Sequence, residues 1–139
     1  MITGISIHGV YVLDQEEALD FYVGKLGFEV VEDSDLGFMR WLTVGLPRHP
    51  ERRILLEVPG PPSHDEATAA QIRDLVTKGA MGAAAMLTTD DCRADYERLR
   101  RLGVEFTDEP TEQPYGIDCG LRDPFGNHIR IVQVKEPAG

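Results

Sequence analysis

The chain repeats itself. D-Q-E-E-A-L-D-F-Y-V-G-K-L-G-F-E-V runs from Asp14, and D-D-C-R-A-D-Y-E-R-L-R-R-L-G-V-E-F runs from Asp90. Asp, Ala, Leu-Gly and Glu recur at one offset. Such self-similarity means that one supersecondary unit is used twice, and this excludes most single-sheet architectures.

Each unit reads as strand, helix, three strands. In the first, Ile5–Leu13 is a strand rich in β-branched residues. Asp14, with Glu17 three residues on, opens a helix carrying Ala18, Leu19, Tyr22 and Leu26 at helical spacing, and Gly27 stops it. Strands are expected at Phe28–Glu32, Phe38–Val44 and Arg53–Val58, with a polar loop over 45–51. Pro59-Gly60-Pro61-Pro62 breaks the chain, and Ser63 with Glu66 makes a capping-box pattern ahead of a helix over Asp65–Lys78. The second unit starts over with a strand at Ala83–Thr89 and an N-cap at Asp91. Cys92, Tyr96 and Leu99 share one helical face, and Leu102-Gly103 ends that helix. Strands follow at Val104–Thr107, Tyr115–Arg122 and His128–Val134, the last two joined by a tight turn over Asp123–Asn127. The expected organisation is a module at 1–58, a connector with a helix at 59–82 and a second module at 83–139, in one structural domain.

With 139 residues and 42% hydrophobic content the chain can bury a core. Its 14 Lys and Arg against 24 Asp and Glu, a formal charge of -10, argue against nucleic acid and against anionic lipid as partners. Two cysteines are too few for a disulfide framework. No signal peptide and no membrane-spanning apolar run is visible, so a cytoplasmic protein is expected. Glycine-rich phosphate loops, a G-x-S-x-G elbow and zinc spacings are absent from the sequence.

V-L-D-Q-E-E-A-L-D-F-Y-V-G-K-L-G-F at 12–28 and D-P-F-G-N-H-I-R-I-V at 123–132 resemble the vicinal oxygen chelate superfamily. That family includes glyoxalases, extradiol dioxygenases and bleomycin-resistance proteins. I-L-L-E-V at 54–58 and T-D-D-C-R-A at 89–94 fit as well. The resemblance implies an α+β fold of two tandem βαβββ modules forming a cup-shaped mixed sheet. In the metal enzymes of the family the cup holds a divalent ion, with ligands from the first and last strands of each module. Here those positions fall on Ile7, Glu57, Ala84 and Arg130. Ile7 and Ala84 have no donor atom and Arg130 is a cation, so the metal ligands read as vacated and no metal or other cofactor is expected. His8 stands one residue out of phase with the first ligand position and is expected as a hydrogen-bonded histidine at the core edge.

Strand alternation and the resemblance together assign Tyr11, Trp41, Glu57, Met86, His128 and Arg130 to a ligand-binding wall. Glu57 without a metal calls for a cation, and Arg130 is its expected partner. Cys92 reads as a small packed residue, and no catalytic residue is assigned. The resulting expectation is a metal-independent binding protein, with the question of enzyme activity left open and a glyoxalase-like lyase or dioxygenase as the class if there is one. It would sequester a small molecule in the cup between modules or between the subunits of a homodimer. The alternative is a lyase, isomerase or dioxygenase of the same superfamily, with a displaced metal site or metal-free acid/base chemistry.

Overall fold

The computed structural model describes residues 1–135. The end of the expected second module, residues 136–139, lies outside the described residues. The chain divides after Lys78 into two compact units, so the connector helix belongs with the first.

The first unit contains β1 (Ile7–Tyr11), α1 (Gln15–Tyr22), β2 (Glu29–Asp35), β3 (Arg40–Leu46), β4 (His49–Glu57) and α2 (Glu66–Thr77). Its sheet has the order β1-β4-β3-β2, with β1 parallel to β4 and the other pairs antiparallel. The second unit contains β5 (Ala83–Thr88), α3 (Cys92–Arg101), β6 (Glu105–Phe106), β7 (Thr111–Gln113), β8 (Gly116–Arg122) and β9 (His128–Val134). Its sheet runs β5-β9-β8-β6, with β7 also on β8 and β5 parallel to β9. The first unit is therefore a βαβββ module and the second follows the same plan with the short β7 added, each with a mixed sheet in which the first strand and the last are parallel neighbours.

The helices start where their caps dictate. Asp14 accepts a hydrogen bond from Glu17 N and Asp91 one from Ala94 N. The connector helix is capped by Asp65, which accepts from Thr68 N, and not by the Ser63–Glu66 box. α1 ends at Tyr22, earlier than expected. The chain then winds through four more residues before Gly27, whose φ of +88° favours glycine, returns Phe28 N to Tyr22 O.

Three strand expectations change. The loop over 45–51 shrinks to a turn, because β3 and β4 stay paired out to Leu46 and His49 beyond an irregularity at Gly45. The strand expected at 104–107 holds only Glu105 and Phe106, and Thr111–Gln113 adds a strand the repeat did not announce.

Side-chain alternation sorts the core. Val10, Leu42, Val44, Ile54 and Leu56 are buried with Ala18, Phe21 and Tyr22 of α1. Arg40 has the same parity as Leu42, and its Nη1 reaches Glu16 of α1 at 2.6 Å, which marks this face of the sheet as the helix side. In the second unit Cys119, Leu121, Ile129 and Ile131 are buried with Cys92 and Leu99 of α3. Cys92 Sγ lies 3.6 Å from Cys119 Sγ, both as free thiols.

Candidate functional site

The face of the first sheet opposite α1 collects three of the residues singled out above. Tyr11 pairs directly with Glu57 across β1 and β4. Trp41 and Thr43 have the same facing on β3, since Thr43 pairs with Leu55, two residues before Glu57. Ile7 is on this side as well, opposite Arg53. Gly9, between Ile7 and Tyr11, stands beside the half-buried Glu57 carboxylate: a Cβ there would touch Oε2 at 3.8 Å. His8 alternates to the α1 side opposite Ile54, but it is exposed and not the core-edge residue expected.

Sequence reasoning missed His64. Its Nε2 lies 3.1 Å from Tyr11 Oη, and the two rings meet edge to face at 5.5 Å. His64 Nδ1 is buried with no hydrogen-bond partner. Burial, and after it the Glu57 carboxylate, hold the Tyr11 phenol above its ordinary pKa. Nothing local in the sequence announces His64, because the segment that carries it lies outside the repeat. Thr43 Oγ1 is likewise buried without a partner.

The face of the second sheet opposite α3 carries Met86, His128 and Arg130. Met86 pairs with Arg130 and is 71% exposed. Arg130 finds carboxylate partners within its own unit. Its Nε and Nη2 donate to Asp118 Oδ2 at 3.1 and 2.9 Å, and Nη2 also donates to Asp108 Oδ2 at 3.2 Å. These carboxylates come from the module's own loop and central strand. Burial disfavours the guanidinium charge, but the two aspartates outweigh it and the Arg130 pKa is raised. Gly120 makes room for this cluster: a Cβ there would lie 2.7 Å from Asp108 Oδ1 and 2.8 Å from Arg130 Nη1. Tyr115 Oη donates to Asp118 Oδ2 at 2.8 Å, and that bond is the largest cause of its raised pKa. Asp118 Oδ1 is buried and has no partner.

Of the four metal-ligand positions only Glu57 offers an oxygen donor. Ile7 and Ala84 offer none, and Arg130 is a cation already held by two carboxylates. This set does not fit a divalent metal ion. Among the described residues, no three His, Cys, Asp or Glu side chains gather as a metal site requires. An open cavity of about 530 Å³ in the second unit lies beside Gly116, Gln133, Val134 and Lys135, and none of the residues expected to bind ligand lines it. No helix of the described residues is long and apolar enough to cross a membrane.

Two βαβββ modules with parallel first and last strands, each keeping one sheet face clear of its own module's helix, define the class. The chain belongs to the glyoxalase/bleomycin resistance protein/dioxygenase superfamily, whose family profile matches residues 4–131. It is 36% identical to the uncharacterized protein YurT of Bacillus subtilis (strain 168), over 93% of this chain and 98% of that one. The crystal structure of UcmS2 superposes with a TM-score of 0.89 at 43% identity, over 95% of this chain and 98% of that one. TnmS3, an antibiotic binding protein from Streptomyces sp. CB03234, superposes with a TM-score of 0.76 at 31% identity, over 96% and 98%.

Proposed function

We propose that this protein binds and sequesters a small organic molecule without a metal ion, with Trp41, Tyr11 and Glu57 forming one wall of the site. The observation that carries the reading is their common face on the first sheet: an indole, a phenol and a half-buried carboxylate on neighbouring strands. Aromatic surface with a few fixed polar groups is the composition of a small-molecule wall. The likeness to TnmS3, described as an antibiotic binding protein, supports a binding role over turnover. Met86, His128 and Arg130 belong to the same proposal as ligand contacts of the second unit. The exposed apolar segment that includes Met1, Ile2 and Ile5 supports a homodimer, which light scattering would read directly. The two free, buried thiols are in keeping with a reducing, cytoplasmic setting.

Trp41 is the only tryptophan, so its emission reports on the wall. Protein freed of metal with a chelator is titrated with a panel of aromatic antibiotics, and each compound is then recovered for mass analysis. The expected result is saturable quenching with a Kd near or below about 10 μM for at least one compound, recovered unchanged. Glu57→Ala and Tyr11→Phe should weaken it. A panel that never perturbs Trp41, or binding that needs added metal, overturns the reading.

The Tyr11–His64 hydrogen bond beside Glu57 favours one second reading, metal-free proton transfer on a bound ligand. Conversion of a recovered compound, lost in His64→Ala, would establish it.

A further inference from the structure

Gly79 closes the connector and opens the second unit with φ at +68°, a conformation that favours glycine. Its bare Cα has a second consequence. A Cβ there would sit 2.6 Å from His128 Nε2 and 3.1 Å from Arg122 Nη1. The edge of the imidazole and a guanidinium nitrogen thus lie together against the bare Cα of Gly79, where a side chain would collide with them.

The two residues are brought there by the register. Arg122 pairs with His128 across β8 and β9, and both lie on the face that carries Arg130, because Gly120 pairs with Arg130 one step along. The two arginines differ in their company. Arg130 is held by Asp108 and Asp118. Arg122 has no acidic partner among the described residues, although Glu105 faces it across β6 and β8. Its Nη1 instead lies toward Gly79 and His128. Arg122 and His128 are both half-buried, so their donors are partly withdrawn from water. In a chain with a formal charge of -10, a half-buried arginine left without a carboxylate next to a histidine is a site for an incoming negative charge.

We propose that Arg122 and His128, converging over the bare Cα of Gly79, clamp an anionic oxygen group of a small-molecule ligand, a carboxylate or a phosphate. The guanidinium supplies charge and directed N–H donors, and the imidazole Nε2 supplies a second donor from the neighbouring strand. Gly79 lets the two side chains come together against the backbone. The clamp names a chemical group for the ligand of the second unit, and it rests on the reading that this protein binds small molecules.

The test uses simple probes on the full chain. Imidazole nitrogen resonances are followed by NMR while benzoate, inorganic phosphate or the neutral isostere benzamide is added at constant ionic strength. The expected result is a saturable shift of His128 Nε2 with benzoate or phosphate, no shift with benzamide, and no parallel shift at the exposed His8 and His49. Benzoate acting alone assigns the clamp to carboxylates, and phosphate acting alone assigns it to phosphoryl groups. Arg122→Gln should weaken the response about tenfold or more, with Arg122→Lys between the two. Because Arg122 forms no ion pair among the described residues, the variant's melting temperature should match the parent's and exclude misfolding. The proposal is overturned if His128 does not respond to either anion up to about 50 mM, or if Arg122→Gln responds as the parent does. The Trp41 titration reads a different sheet, so either experiment can fail while the other stands.

Discussion

Arg130 Nη2 stands 2.9 Å from Asp118 Oδ2 across neighbouring strands, and Asp118 is 5% exposed. A buried carboxylate is tolerable only with its charge met, so any ligand that Arg130 meets must share the guanidinium with Asp118.

Removing that cation should expose the dependence. Arg130→Gln is expected to cost about 2–4 kcal/mol at pH 7, somewhat below a fully buried pair because Arg130 is 37% exposed. An unpaired buried carboxylate is relieved by protonation, so the deficit should shrink as pH falls through the carboxylate range. Asp118→Asn in the same background should restore much of the loss. Urea unfolding at pH 7 and pH 4 checks both statements, and an equal deficit at the two pH values would sink them.

Two glycines of one strand should respond differently to alanine. At Gly120 the new Cβ meets only the ends of Thr107, Asp108 and Arg130, which can move aside. At Gly116, with φ at +148°, it runs into the backbone carbonyl of Gln133, which the β8–β9 ladder holds in place. Gly116→Ala should therefore cost about 3 kcal/mol or more and Gly120→Ala about 1 kcal/mol, with the reverse order contradicting the packing.

The paired thiols should be silent in the native protein. Burial is the largest cause that pushes Cys119 up to about 12, and Cys92 is raised as well. Ellman's reagent at pH 8 should find no reactive thiol until denaturant is added, and then two. The native pKa of Cys119 is raised, so its contribution to stability is fully present below the ordinary thiol value of about 8.5 and drains as pH climbs toward 12. Cys119→Ala should flatten that alkaline decline in melting temperature.

Tyr11→Phe removes the hydrogen-bond partner of His64 Nε2 from a half-buried imidazole whose Nδ1 already has none. Thermal unfolding should show a loss of about 1 kcal/mol, and His64→Phe in the Tyr11→Phe background should add little to it. Strictly additive losses would show that the pair does not act as a unit.

The repeat was legible because each copy carries an aspartate at the start of its helix and a glycine after its last turn; of the recurring Ala and Leu, Ala18 is buried while Ala94 and Leu102 are exposed. The structure places Gly27 and Gly103 at φ values of +88° and +86°. The sheet alternation that groups Tyr11 with Glu57, and Met86 with Arg130, was legible for the same reason. The partners of Arg130 were not. Asp108 lies in the irregular stretch between β6 and β7, where no period tells which way a side chain points, and only Gly120 hinted that something approaches closely. His64 was hidden in the same way, in the proline-rich stretch before α2.

Each module's sheet is closed by a parallel ladder between its first and last strands, Ile7 onto Arg53 and Ala83 onto His128. The antiparallel pairs β2–β3–β4 and β8–β9 join neighbours in the chain and can zip from their turns. The parallel ladders need a strand to wait for a partner made most of a module later, and the entropy of that long loop must be met before any contact rewards it. Folding speed in this protein is therefore governed by two distant closures, one per module. A change that loosens β1 or β5 should therefore express its loss of stability mainly as slower folding and little as faster unfolding.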